Sequence, residues 1–140
     1  MTARAPQAPG LRRLAASGVL AGVLAAAGTT AVAALARGLG VSLEAGSVPI
    51  PLPAFAFWCL VGAGVGVVLA LLLRERRRFV VVTLLGAALS LVPAIMLPDD
   101  VATTAVLVVI HVLAAAIVVP LLGRRLGAAS PAPRTSSAQA

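Results

Sequence analysis

LPDDVATTAVLVVIHVLAAAIVVPLLGRR, residues 97–125, decides the fold. From Val101 to Leu122 the chain carries no carboxylate or guanidinium, and its only ionisable ring, His111, lies near the middle. Two acids precede the run and Arg124-Arg125 close it. A helix needs about 20 apolar residues to cross the hydrocarbon core of a bilayer. The run is therefore predicted to be one membrane span, 101–122. Pro98 stops the preceding helix, and Asp99 or Asp100 caps the next.

Three further runs lie upstream. A span over 79–97 has Pro93 in its last turns and follows RERRR, residues 74–78, the densest charge cluster and a very short hairpin loop. A span over 54–73 carries Trp58 one turn inside its start, where an interfacial aromatic belongs. Leu14 to Ala36 is free of charge and ends at Arg37-Gly38. Between the first two spans, RGLGVSLEAGSVPIPLP (37–53) holds Pro49, Pro51 and Pro53, which exclude a continuous helix. It is predicted to be an external loop along the membrane surface. The predicted fold is all-α, an integral membrane four-helix bundle over 14–126 with spans at about 14–36, 54–73, 79–97 and 101–122. Residues 1–13 and 127–140 are expected to be disordered cytoplasmic tails.

Composition supports a bilayer as the solvent. Hydrophobic residues make up 61% of the 140 and charged residues 11%, against about 25% charged in a soluble domain. The net charge of +7 comes from eleven arginines without a lysine. These sit at the ends of apolar runs, which marks topology and excludes a phosphate-tracking stripe. With three Phe, one Trp and no Tyr there is no base-stacking platform, so no nucleic-acid partner is expected. Cys59 is alone, which excludes a CxxC pair, an intramolecular disulfide and a cysteine zinc site. No metal or other cofactor is expected; a haem would need two copies of His111 brought together by symmetry.

Arginine placement predicts orientation. With both termini on one side, that side holds Arg4, Arg12, Arg13, Arg74, Arg76, Arg77, Arg78, Arg124, Arg125 and Arg134, and the other holds only Arg37. Glu44, Asp99 and Asp100 fall on the arginine-poor side. The positive-inside rule then places both termini in the cytoplasm of a bacterium, N-in/C-in, in a multi-pass protein of the cytoplasmic membrane. AVAALA (31–36) has the small residues of a signal-peptide cleavage site, but the first run exceeds the usual apolar stretch of about 7–15 residues, so it is read as retained.

Small residues recur along three spans: Gly18, Gly22, Ala26 and Thr30; Gly62, Gly64 and Gly66; Thr83, Gly86, Ala87 and Ser90. Such stripes let backbones approach closely in lipid. Packing within the bundle accounts for them, and homo-oligomerisation through the same faces is the alternative. The lipid bilayer is the expected partner.

His111 lies ten residues beyond Val101, so about 15 Å deep in a core of about 30 Å. Equal depth falls at Ala26, Gly64 and Ala87, all small, which leaves the ring room to point inward. Asp100, Thr104, His111 and Ala115 share one helical face, and Thr29, Thr30 and Ser90 lie about one turn closer to the outside. The candidate intramembrane polar site is therefore His111, Ser90, Thr104, Thr30 and Asp100. An ionisable group inside a membrane is a functional candidate. The structural alternative is a neutral ring bonding Ser90, a threonine or a backbone carbonyl. A hydrolase would need a nucleophile and base, for which Ser90 and His111 are the only buried pair, and no acid orients that histidine.

LSLVPAIMLPDDVATTAVLVVIHVLAAAIVVPLLGRRL, residues 89–126, resembles a family of small four-span actinobacterial membrane proteins grouped as a domain of unknown function. The matching features are the SLVP end of span 3, the acidic turn, a threonine, the histidine seven or eight residues beyond, an alanine-rich stretch and a terminal arginine pair. The arginine loop after span 2 also fits, and the likeness covers most of residues 10–126. It implies a four-span membrane fold and supplies no activity. The expected function is a non-enzymatic packing or interaction role in the membrane. The alternative is a small transporter or channel using His111 for proton or ligand handling.

Overall fold

The computed structural model describes residues 10–127. Of the expected tails 1–13 and 127–140, residues 1–9 and 128–140 lie outside the described residues, whereas 11–13 and 127 belong to helices. Four helices dominate: α1 (Leu11–Gly38), α2 (Leu52–Leu73), α3 (Arg76–Met96) and α4 (Val101–Gly127). All four are long and apolar enough to cross a membrane. At about 1.5 Å per residue, even α3 with its 21 residues reaches about 31 Å.

Helix limits exceed the expected spans and run into the flanking arginines. α1 starts at Leu11, so Arg12 and Arg13 lie in its first turn. α2 starts at Leu52 and takes in Pro53, because a proline in the first turn forfeits no intrahelical bond. α3 takes in Arg76, Arg77 and Arg78, which leaves only Arg74 and Glu75 as the turn. Arg74 adopts the left-handed conformation (φ 48°) that ends α2, and Glu75 pairs with Arg78 at 2.7 Å. α4 continues through Pro120 to Gly127.

α1 packs along α2 and α4, and α3 packs chiefly on α4. Many buried helix positions are small (Ala21, Ala25, Ala33, Ala63 and Ala70), while Leu20, Val23, Leu24, Leu72, Leu85 and Leu89 point outward. Two apolar clusters mark the ends. At the arginine end Leu14, Phe79, Leu122 and Leu126 meet. At the acidic end Ala36, Leu43, Phe55, Ala94 and Leu107 meet.

The segment before α2 is more ordered than its prolines suggested. It forms an antiparallel hairpin, β1 (Glu44–Ala45) with β2 (Val48–Pro49). Gly46 and Ser47 at its tip both have positive φ (58° and 62°), the two-residue turn that matches strand twist. Leu43, also at positive φ (51°), is fully buried beneath it. The hairpin is a fitted cap over one end of the bundle, not a strip lying loosely on a surface.

Candidate functional site

Two polar clusters and one isolated ring emerge. The first cluster joins the cap to the turn between α3 and α4. Asp100 is the N-cap of α4: its carboxylate accepts from the Thr103 N–H at 2.8 Å and the Thr103 hydroxyl at 2.6 Å. Ser42 donates to the same carboxylate at 3.0 Å. These donors, Thr103 first, hold the Asp100 carboxyl below its ordinary range against a smaller desolvation effect. Asp99 accepts from the Ser47 N–H at 2.8 Å, and the Gly46 N–H donates to the Leu97 carbonyl at 2.9 Å. Both acids thus serve as caps and ties. No group of three or more metal-ligating side chains forms among the described residues.

The expected polar track from Asp100 to His111 is not joined up. Thr104 donates to the Asp100 backbone carbonyl at 3.0 Å. Thr30 Oγ1 is enclosed without a hydrogen-bond partner, as is Thr83 Oγ1. Ser90 is exposed and donates to the Ala87 carbonyl at 2.7 Å. Hydroxyls in apolar helices satisfy themselves on the preceding turn when no neighbour offers an acceptor. Thr29 does the same on Ala25 at 2.8 Å, and it also lies 3.2 Å from the Cys59 sulfur, linking α1 to α2.

His111 is half-buried and bonds its own helix: Nδ1 lies 2.8 Å from the Leu107 carbonyl. A carbonyl only accepts, so Nδ1 is the donor in this bond, and Nε2 has no hydrogen-bond partner among the described residues. The ring lines an open groove of about 500 Å³ between α3 and α4, with Leu84, Ala87, Ala88, Ala115 and Ala116 among its walls. Of the three residues at equal depth, only Ala87 shares that groove. Gly64 faces open space on α2 and Ala26 is buried on α1. The ring therefore faces the α3–α4 groove and not the bundle axis. Ser90 does not line the groove, so no nucleophile–base pair forms with His111. Pro120 lacks an N–H, which leaves the Ala116 carbonyl without its helical donor on the same wall.

The second cluster escaped the sequence. Ser17, buried in α1, donates to the Arg13 carbonyl and accepts from Arg125 Nε, both at 2.9 Å. It ties the start of α1 to the end of α4. The available signal was a serine four residues beyond an arginine, on the small-residue face of span 1.

The small-residue stripes divide. A Cβ on Gly18 would sit 2.1 Å from Val67 Cγ2, and one on Gly22 would sit 3.0 Å from Ala63 Cβ. Gly66 meets Leu122 at 3.0 Å. Gly62, Gly64 and Gly86 meet nothing. α1 thus spends its stripe inside the bundle, whereas α2 and α3 keep small residues facing outward.

The model of a protein family described as "Family of unknown function (DUF6069)" matches residues 9–128. The match spans all four helices, and the chain belongs to that family. No curated protein matches the sequence, and no solved structure matches it.

Proposed function

We propose, starting from membership of a family without an assigned activity, that the chain is a multi-pass protein of the bacterial cytoplasmic membrane. Both termini are cytoplasmic, and its role is helix packing and interaction rather than catalysis. One observation carries the membrane reading. Large aliphatic side chains stand exposed along all four helices, while alanine and glycine line the contact between α1 and α2. Water would penalise that distribution, whereas lipid favours it because contact between helices depends on close approach. Charge supports the orientation: Arg12, Arg13, Arg74, Arg76–Arg78, Arg124 and Arg125 gather at one end and Glu44, Asp99 and Asp100 at the other. Single cysteines at positions 8, 46 and 130 in a Cys59→Ser background test this in intact cells. An impermeant maleimide is expected to label position 46 alone. Labelling of either terminus overturns the orientation.

The interaction role is supported by the outward Gly62, Gly64 and Gly86 and by the unfilled groove between α3 and α4. Their natural occupant is another membrane helix. Crosslinking in native membranes at positions 64 and 86 should trap a second chain, its own copy or another protein. Monomer only at both positions counts against the role. The transport alternative rests on His111 opening into that groove. Flux in liposomes that His111→Ala abolishes would establish it, and equal flux would retire it.

A further inference from the structure

We propose that the cleft between the first turns of α1 and the last turns of α4 binds the phosphate of an anionic glycerophospholipid, held by Arg13 and Arg125. The proposal rests on the membrane reading above. The cleft has a volume of about 360 Å³ and is lined by Arg13, Ala16, Ser17, Leu20 and Arg125.

Ser17 builds the site. It uses its proton on the Arg13 carbonyl and its lone pair on Arg125 Nε. Arg125 is thereby fixed across two helices, and the four N–H donors of its terminal nitrogens make no bond among the described residues. That planar fork matches two oxygens of a phosphate. The start of α1 adds its positive end, and its first turn contains no acid to offset it.

No acidic side chain of this chain is left to neutralise the pair. The four are Glu44, Glu75, Asp99 and Asp100. Glu75 is taken by Arg78. Asp99 and Asp100 are tied into the cap, with Glu44 in the hairpin beside them, at the far end. At the arginine end, eight described arginines (Arg12, Arg13, Arg74, Arg76, Arg77, Arg78, Arg124, Arg125) therefore stand against one acid. No side chain of the chain offsets the pair, and an anion from outside would supply the counter-charge.

The apolar wall selects its source. Ala16 and exposed Leu20 lie on α1 below the guanidinium groups and continue into outward Val23 and Leu24. A free phosphate would touch only the arginines. A phospholipid covers both, with its phosphate on the cations and an acyl chain along the aliphatic strip.

Native mass spectrometry of the full chain, purified in detergent and titrated with phosphatidylglycerol or phosphatidylcholine, tests the site. Phosphatidylglycerol should be retained preferentially. Arg13→Gln and Arg125→Gln should each weaken retention about fivefold, and Arg76→Gln/Arg77→Gln should leave it unchanged. Arg13 makes no side-chain bond among the described residues, so its variant reports binding even if Arg125→Gln fails to fold. Equal loss in the Arg76/Arg77 variant would reduce the effect to diffuse charge and overturn the site. Displacement by millimolar glycerol phosphate would overturn the lipid identity. Liposome flotation is scored separately. A wild-type chain that does not float removes the membrane reading and this proposal with it, whereas flotation without headgroup preference removes this proposal alone.

Discussion

The α1–α2 and α3–α4 pairs start from similar material and end differently. Both carry small residues at helical spacing. Along α1 and α2 the helices close on each other: Gly18 and Gly22 of α1 admit Val67 and Ala63 of α2 at distances no larger residue would allow. Along α3 and α4 they do not. Gly86 faces open space, and the two helices part around the groove that holds His111. The second pair is fastened at its ends instead: Phe79 and Val80 against Gly123 at one, and the hairpin, Leu97, Asp99 and Asp100 at the other. A small residue brings two helices together only where a side chain of the partner helix fills the space it leaves.

The strongest way to break the second pair is through the cap. Leu43 is fully buried in the segment between α1 and α2, outside the four long apolar helices. Leu43→Ala should cost about 2–5 kcal/mol, measured by unfolding in mixed detergent micelles. It should also expose the segment 37–53 to protease while leaving the α1–α2 contact intact. A cost under about 1 kcal/mol would show that the cap does not fasten α3 and α4.

Gly18→Val attacks the first pair. Val67 is β-branched and stiff in a helix, so the new side chain must push the helices apart. The expected cost is about 1–3 kcal/mol. Gly86→Val, on the open face, should change stability by no more than about 0.5 kcal/mol. Equal costs at the two positions would erase the contrast between the pairs.

Acid should loosen the same fastening that Leu43→Ala breaks. The Asp100 carboxyl is held below its ordinary value by the Thr103 and Ser42 donors. A depressed folded value means that this stabilisation is complete above the unfolded carboxylate range and fades as pH falls through the folded one. Wild type should therefore lose stability at pH below about 4, relative to an Asp100→Asn variant whose smaller cap does not titrate. Parallel curves for the two proteins would remove Asp100 from the account.

Four apolar runs were legible because charge-free length is a one-dimensional property, and Asp100 as a cap was legible because capping is local. The hairpin was written in Gly46-Ser47 between short extended segments, but the three prolines following or flanking it drew the segment into a loop. The direction of His111 was not legible. Depth places a ring along its helix, whereas the neighbour it faces depends on which helices meet, and α3 meets α4 without closing on it. Arg125 and Ser17 are 108 residues apart, and nothing local in either announces the other.

His111→Ala is the smallest expected change and the most telling about the groove. The ring's one bond runs to the Leu107 carbonyl of its own turn, so its loss leaves no neighbouring helix short of a partner. The isolated chain should lose at most about 1 kcal/mol. An interhelical role would predict more, because a donor or acceptor on α3 would be stranded in a medium without water. Comparing purified monomer with native membrane separates the two cases. If the variant unfolds like wild type in micelles but its chain is degraded faster in the membrane, the ring meets a hydrogen-bond partner that another molecule supplies. If both measurements are unchanged, the groove between α3 and α4 is filled by lipid tails, and the two pairs differ only in how they are held.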